Sequence, residues 1–301
     1  MKYSSRFLSS AQQGKSGIQH YLLGLVVILL FLILCSLLIL IYSTSFLGVP
    51  LEEFNNFALE KQSLELQHFF LIFVCLGLCC GFFFTTATVH QRHAMTLVNL
   101  EGEIRWKQIV SGFTIWFLAN LLTSLLFYVF NTERYLFSDR IIQVILTLPF
   151  SLSTTFATAA FYCVFFAYVL QGLNRIIRNQ LILILTVCFL ISAIYMFQEF
   201  DIKVFLLSFI FQGFILFSIV KFDGIEVVLG LIMADLFYSL SIVQPIANGN
   251  DPLGSSPSLA KASPIPDHWW IPAFLIQISI FYYSLSKISL DRSQRTTNNK
   301  Q

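Results

Sequence analysis

Long apolar runs separated by short polar connections dominate the chain and predict membrane-spanning helices. An α-helix needs about 20 apolar residues to cross the hydrocarbon core of a bilayer. Runs of about that length or longer lie at 21–47, 68–89, 108–130, 141–172, 180–198, 203–220, 224–245 and 269–287. The pattern therefore predicts an all-α fold, a polytopic transmembrane helical bundle of about eight spans, because no polar segment is long enough to form a soluble domain.

The fourth apolar run, 141–172, is longer than a bilayer requires. As a straight helix of about 32 residues at about 1.5 Å per residue it would measure about 48 Å, whereas the hydrocarbon core is about 30 Å thick. We therefore expect this helix to tilt, bend or project from the membrane. Pro149 is the expected position of a bend, since a proline frees a backbone carbonyl that the hydroxyl groups following it can satisfy.

Basic residues are distributed unevenly between the two sides of such a bundle. Eight spans place both termini on one side, and only five of the 18 lysine and arginine residues then lie on the other side: Lys61, Arg134, Arg140, Lys203 and Lys261. Cytoplasmic loops carry an excess of basic residues, so we expect both termini in the cytoplasm. The expected organisation is a tail at 1–20, a single transmembrane domain at 21–287 with an irregular outer loop at 246–268, and a tail at 288–301.

Composition indicates an integral membrane protein in contact with lipids. Hydrophobic residues make up 56% of the chain and charged residues 11%, whereas soluble domains contain about 25% charged residues. We expect a bacterial or organellar inner membrane. The net charge of +2 gives no reason to expect a nucleic-acid partner. All six cysteines lie within apolar runs, which favours packing roles over disulfides or zinc, so no metal or cofactor is predicted.

Residues 158–178 read TAAFYCVFFAYVLQGLNRIIR and resemble the first motif of the CPBP (Abi, or Rce1-like) family of intramembrane proteases. The shared positions are Thr158, Ala159, Ala160, Tyr168, Leu170, Gln171, Gly172, Leu173, Arg175 and Arg178. Segments 90–117 and 224–240 are similar to a cytoplasmic segment and a later helix of the family, so the resemblance extends over about 90–240. It implies a CPBP-like core built from spans four to seven.

The positions at which the family has its catalytic residues hold other residues in this chain. In the family, two glutamates and two histidines hold and activate a water for peptide hydrolysis, which requires a general base and a polarising centre. The glutamates correspond to Phe161 and Tyr162, and the family's arginine corresponds to Phe166. The histidines correspond to Tyr195 and Ile232. The resemblance therefore implies a catalytically inactive member, a pseudoprotease, and no catalytic residue is predicted.

Asp235 is the residue that we single out as a candidate polar site within the membrane. A carboxylate in the middle of a bilayer costs about 2.5–3.5 kcal/mol on insertion scales, so it should face the bundle and have a partner. If the fifth span lies beside the seventh, as in the CPBP fold, Tyr195 is a candidate partner and Tyr162 is a second. Two interpretations remain open: an internal hydrogen bond that fixes helix packing, and a remnant site that binds a ligand.

The sequence favours a function without catalysis and leaves two alternatives. The favoured function is that of a scaffold, assembly factor or regulatory subunit that binds another membrane protein through helix packing. The first alternative is a divergent intramembrane endopeptidase with a non-standard site around Asp235. The second is a transporter or lipid-handling protein, which would need a polar path through the membrane.

Overall fold

The computed structural model describes residues 6–10, 13–46, 64–99, 101–130, 135–137, 141–199, 202–245, 260–262 and 272–285. The predicted C-terminal tail, 288–301, lies outside the described residues. So do parts of the predicted N-terminal tail, 1–20, and most of the predicted outer loop, 246–268.

Helices account for most of the described residues, as the apolar runs predict. They are α1 (Arg6–Ser9), α2 (Ile18–Phe46), α3 (Leu64–Thr88), α4 (Trp106–Phe130), α5 (Ile141–Leu173), α6 (Gln180–Glu199), α7 (Ile202–Lys221), α8 (Glu226–Phe237) and α9 (Pro272–Leu285). A 3₁₀ turn at Ala94–Leu97 follows α3, and a single-turn π-helix at Tyr238–Ile242 continues α8. The ends of the helices agree with the predicted runs within a few residues.

Four of the helices in the described part of the chain are long and apolar enough to cross a membrane. These are Ile18–Phe46, Leu66–Thr88, Trp106–Val129 and Val144–Leu173. Shorter apolar helices lie at Gln180–Ile194, Phe205–Lys221 and Pro272–Leu285. A helical protein with helices long and apolar enough to cross a membrane is therefore confirmed, whereas the number of eight spans and the CPBP-like core stay predictions.

Helix α5 has the length that the sequence predicts, and Pro149 lies inside it. Beyond the proline, the Ser153 hydroxyl donates to the Pro149 carbonyl at 2.8 Å, and the Thr154 hydroxyl donates to the Phe150 carbonyl at 2.8 Å. Such bonds to the preceding turn satisfy hydroxyl groups for which lipid offers no partner. The hydroxyls that follow Pro149 are thus used within the helix, while the expected bend or tilt stays a prediction.

Three short strands form a small sheet that the sequence analysis did not predict. They are β1 (Tyr135–Phe137), β2 (Val243–Pro245) and β3 (Ala260–Ala262), in the order β1-β3-β2. Strand β3 pairs antiparallel with β1 and parallel with β2. It lies in the connection that we expected to be irregular, so this part of the outer loop is ordered by pairing with distant residues.

The chain forms two compact units, one of 1–106 and 157–228 and the other of 107–156 and 229–301. In the first unit, α2 packs closely on α3 where Cys35 touches the backbone of Gly77. Helix α6 packs along α7, where the Ser192 hydroxyl lies 3.3 Å from that of Ser208. Small residues at such contacts allow helix backbones to approach closely, which is how helices associate in a bilayer.

In the second unit, α4 is covered by α8 and α9. The backbone of Gly230 on α8 lies so close to α4 that a Cβ atom there would overlap the Ile109 carbonyl oxygen and lie 2.7 Å from the Phe113 amide nitrogen. Further along α4, Trp116 is almost fully buried and meets Phe281 edge-on, with 5.6 Å between the ring centroids. The glycine therefore determines how closely the two helices approach.

We expect Gly230→Ala to destabilise the protein, because the added methyl group would overlap backbone atoms that cannot rotate away. Overpacking of this kind costs about 1–3 kcal/mol. The matched control is Gly213→Ala in α7, where a Cβ would lie 3.6 Å from the Cys188 sulfur, an ordinary contact, and where alanine improves helix propensity. Thermal unfolding in detergent measures both variants. A Gly230→Ala variant as stable as the wild type would contradict the close approach.

Candidate functional site

The aromatic residues that the resemblance aligns with the catalytic positions of the CPBP family pack against one another on α5. The ring centroids of Phe161 and Tyr162 are 5.6 Å apart, and those of Tyr162 and Phe166 are 6.2 Å apart in a stacked arrangement. Phe165 stacks on Phe161 at 6.2 Å and meets the edge of Phe82 on α3 at 6.3 Å. Each such pair contributes about 0.5–1.5 kcal/mol beyond its buried area. These positions therefore stabilise helix packing.

The two remaining positions of the family's site also lie on helices. Ile232 on α8 is buried, and an aliphatic side chain has no group for acid–base chemistry. Tyr195 lies on α6, and its side chain is outside the described residues. Within the described part of the chain, no group of three or more histidine, cysteine, aspartate or glutamate side chains could hold a metal ion.

An ion pair between Arg105 and Glu226 lies at the start of α8. The Nε and Nη2 atoms of Arg105 donate to the two carboxylate oxygens of Glu226 at 2.8 Å and 2.7 Å, a bidentate arrangement. Glu226 is completely buried, and the pair raises the pKa of Arg105. The carboxylate also lies in the first turn of α8, where the helix dipole favours a negative charge.

Asn99 connects this ion pair to the loop that precedes α4. Its side-chain amide donates to Glu226 and, at 2.8 Å, to the backbone carbonyl of Glu103. Its side-chain oxygen accepts from the backbone amides of Glu101 at 2.8 Å and Gly102 at 2.9 Å. An asparagine that bonds to the backbone two or three residues ahead is a common turn-forming device. The turn places Arg105 next to Glu226.

Asp235, the predicted intramembrane polar residue, is held by side chains of α4. Its carboxylate accepts from the Trp116 indole at 3.0 Å and from the Asn120 amide at 3.4 Å. The oxygen of Asn120 in turn accepts from Gln277 on α9 at 3.0 Å. Asp235 thus has hydrogen-bond partners on α4 that the sequence analysis did not single out. The spacing of Trp116 and Asn120, four residues apart on one helix face, was the available signal.

The predicted tyrosine partners of Asp235 are placed differently. Tyr162 belongs to the first unit, whereas Asp235 belongs to the second, and the Tyr195 side chain lies outside the described residues. The pairing of Asp235 with these tyrosines therefore stays a prediction.

A further polar cluster surrounds His90 in the first unit, directly after α3. The His90 Nδ1 atom lies 3.0 Å from the Lys15 carbonyl oxygen, and Nε2 lies 3.2 Å from the Tyr168 hydroxyl. The carbonyl can only accept, so Nδ1 carries the ring proton and Nε2 accepts from Tyr168. Burial lowers the pKa of His90, and the nearby charge of Arg92 lowers it further, although the bond to Lys15 opposes the shift. The imidazole is therefore neutral at pH 7.

Arg92 lies two residues after His90, and its surroundings differ from those of Arg105. Its side chain is only 7% exposed, and its three guanidinium nitrogens are buried without a hydrogen-bond partner among the described residues. Burial lowers the pKa of Arg92, while the adjacent Tyr21 and Tyr168 hydroxyls partly oppose the shift. The Tyr21 hydroxyl interacts with the guanidinium but is uncharged, so it supplies no counter-charge. A buried arginine normally has a carboxylate or several carbonyl partners.

Comparison with family models, with curated proteins and with solved structures finds no match for this chain. The fold and its polar clusters therefore assign the chain to a structural class, while the comparisons identify no family. The class is a predominantly helical protein with helices long and apolar enough to cross a membrane. Within its described helices, Glu226 and Asp235 are both engaged by hydrogen-bond donors of the same chain.

We expect the Arg105–Glu226 pair to be strongly coupled. Arg105→Met or Glu226→Gln alone leaves a polar partner behind and should cost about 3–5 kcal/mol, because a buried charge loses its counter-charge. The double variant should cost much less than the sum of the two. Glu101→Gln is the control, since Glu101 is exposed and lies 4.0 Å from Arg105, and a surface pair contributes at most about 1 kcal/mol. Additive costs in thermal unfolding would contradict the coupling.

We expect Asp235→Asn to be tolerated and Asp235→Leu to destabilise the protein. Asparagine retains an oxygen that accepts from Trp116 and Asn120, whereas leucine leaves both donors unsatisfied at a cost of about 1–3 kcal/mol each. The thermal midpoints of the two variants in the same detergent test this expectation. Equal midpoints would show that the hydrogen bonds to Asp235 do not stabilise the helix packing.

Proposed function

We propose that this chain is a catalytically inactive, CPBP-like membrane protein that acts as a scaffold, assembly factor or regulatory subunit by binding another membrane protein. One observation supports the proposal above all. Glu226 and Asp235, the two acidic residues of α8, accept hydrogen bonds from side chains of their own chain. A general acid or base must be able to reach a substrate, whereas these carboxylates already serve helix packing.

The aromatic cluster on α5 supports the same proposal. Phe161, Tyr162 and Phe166 take the positions at which CPBP proteases have charged residues, and their rings fill the space around one another. Hydrolysis inside a membrane requires a water and a polarising centre, and a stack of aromatic rings supplies neither. Apolar side chains at these positions stabilise helix packing and supply no group for catalysis.

Helix α2 provides a surface for the proposed partner. Only 17% of its most apolar window is buried, against 50% for the corresponding window of α5. Leu22, Leu30 and Ile33 are among the large apolar side chains that it exposes. Such a surface packs against lipid chains or against a helix of another membrane protein, and helices in bilayers associate through close packing of this kind.

The proposal predicts one membrane protein bound in near-stoichiometric amount. The tagged chain is purified at native expression in a mild detergent, with a photo-crosslinking residue at Leu30 on the exposed face of α2. We expect a single protein adduct of defined mass, identified by mass spectrometry. The matched control is the same crosslinker at Leu181, which is similarly exposed on α6 and should give lipid adducts only.

One variant separates this proposal from a peptidase. Asp235→Asn should recover the same partner as the wild type, because its hydrogen bonds to α4 are retained. A protein that purifies alone, gives only lipid adducts at Leu30, and cleaves a membrane peptide in a reaction abolished by Asp235→Asn would overturn the proposal in favour of an enzyme.

A further inference from the structure

Arg92 is a buried cation without a counter-charge. None of its three guanidinium nitrogens has a hydrogen-bond partner in the described part of the chain, although a guanidinium has five N–H donors. Arg105, by contrast, receives a bidentate carboxylate from its own chain. Burying an ion is costly unless it is paired. Unlike Arg105, Arg92 thus lacks a counter-charge among the residues that the structure describes.

The groups around Arg92 favour a negatively charged partner. The buried Tyr21 hydroxyl interacts with the guanidinium and has no further partner among the described residues. Both charges that act on this hydroxyl, Arg92 and the exposed Arg175, are positive. His90 is neutral and is occupied by Lys15 and Tyr168. A hydroxyl that can donate, in the field of two arginines and with no described carboxylate acting on it, matches the requirements of an oxyanion.

The cluster lies at the ends of two membrane-spanning helices. Arg92 follows the end of α3 at Thr88, and Tyr21 lies in the first turn of α2, which begins at Ile18. Helix ends of this kind lie at the level of the lipid headgroups, where basic residues meet phosphate. The exposed apolar face of α2 extends from there along the lipid chains. A phosphate bound at Arg92 would thus lie at the depth of a headgroup.

Residues 13–15 lie against the loop that precedes Arg92. The Lys15 amide donates to the His90 carbonyl at 2.7 Å, and Gly14, with φ of +71°, fits against the carbonyls of His90 and Gln91 where a side chain would overlap them. All three residues of this segment are exposed.

We propose that Arg92 and the Tyr21 hydroxyl bind a phosphate-type oxyanion, with Arg175 adding to the positive field at the entrance. A guanidinium binds two phosphate oxygens at once through parallel N–H groups, and the tyrosine hydroxyl donates to a third. The phosphate belongs either to the headgroup of an anionic lipid or to a free phosphate compound. Both sources present the same chemistry to Arg92 and differ in whether acyl chains lie along α2.

The test measures ligand-dependent stability of the full chain, purified in detergent and stripped of lipid. Thermal midpoints are recorded against dioleoylphosphatidylglycerol, against inorganic phosphate, and against dioleoylglycerol, which has the same acyl chains without phosphate. We expect phosphatidylglycerol to raise the midpoint and dioleoylglycerol to have no effect. Stabilisation by phosphatidylglycerol alone identifies a lipid headgroup, and equal stabilisation by inorganic phosphate identifies a free phosphate compound.

Variants identify the residues responsible. Arg92→Gln should weaken phosphatidylglycerol binding by about tenfold or more, the loss expected for a charge-assisted hydrogen bond. The same variant should raise the midpoint of the ligand-free protein, because it removes an unpaired buried charge. Tyr21→Phe, which keeps the ring packing on His90, should weaken binding without affecting the ligand-free midpoint.

Arg178→Gln is the matched control, since it removes one positive charge from an exposed position near Arg175. Its affinity should stay within about twofold of the wild type, as expected for a screened surface charge. The proposal is overturned if no phosphate ligand shifts the midpoint. It is equally overturned if Arg92→Gln binds phosphatidylglycerol and inorganic phosphate as the wild type does.

Discussion

The requirement that every polar group within the apolar helices finds a partner inside the protein shapes most of this structure. Lipid offers no hydrogen bonds, so an unsatisfied group there costs several times more than one at a water-exposed surface. Glu226 meets the requirement with Arg105 and Asn99, and Asp235 meets it with Trp116 and Asn120. Hydroxyl groups such as those of Ser153 and Thr154 meet it by bonding to the preceding turn of their own helix. The acids are consequently part of the packing, whereas Arg92 is a buried charge that no described residue balances.

The sequence predicts the helices well because lipid imposes a simple condition on them. A run such as 141–172 must be helical if it enters a bilayer, and the structure has α5 at Ile141–Leu173. Lipid imposes no such condition on the small sheet. Its middle strand, Ala260–Ala262, pairs with residues from two distant parts of the chain, and three-residue strands have too little periodicity to be recognised. Pairing of this kind depends on tertiary placement, which hydropathy does not contain.

The polar sites could be predicted only in part. A lone acid in an apolar run, such as Asp235, is visible as an energetic anomaly, so its need for a partner follows from the sequence. The identity of the partners does not follow from the sequence. Indole and amide groups are common in apolar helices, and Trp116 and Asn120 lie more than a hundred residues from Asp235. In the sequence, Arg92 is one basic residue among several that flank the apolar runs. Its burial and its lack of a counter-charge exist only in the folded chain.

The Arg105–Glu226 pair also has a consequence for how the protein is made. The two residues are separated by 121 positions, so the ribosome completes Arg105 long before Glu226 exists. At about 5–20 residues per second, that interval lasts about 6–24 s. During this interval the Arg105 guanidinium has no carboxylate partner, and the Asn99 side-chain amide lacks one of its acceptors. The local bonds of the turn before α4 do not depend on α8, but the pairing of Arg105 with Glu226 must await the arrival of that helix.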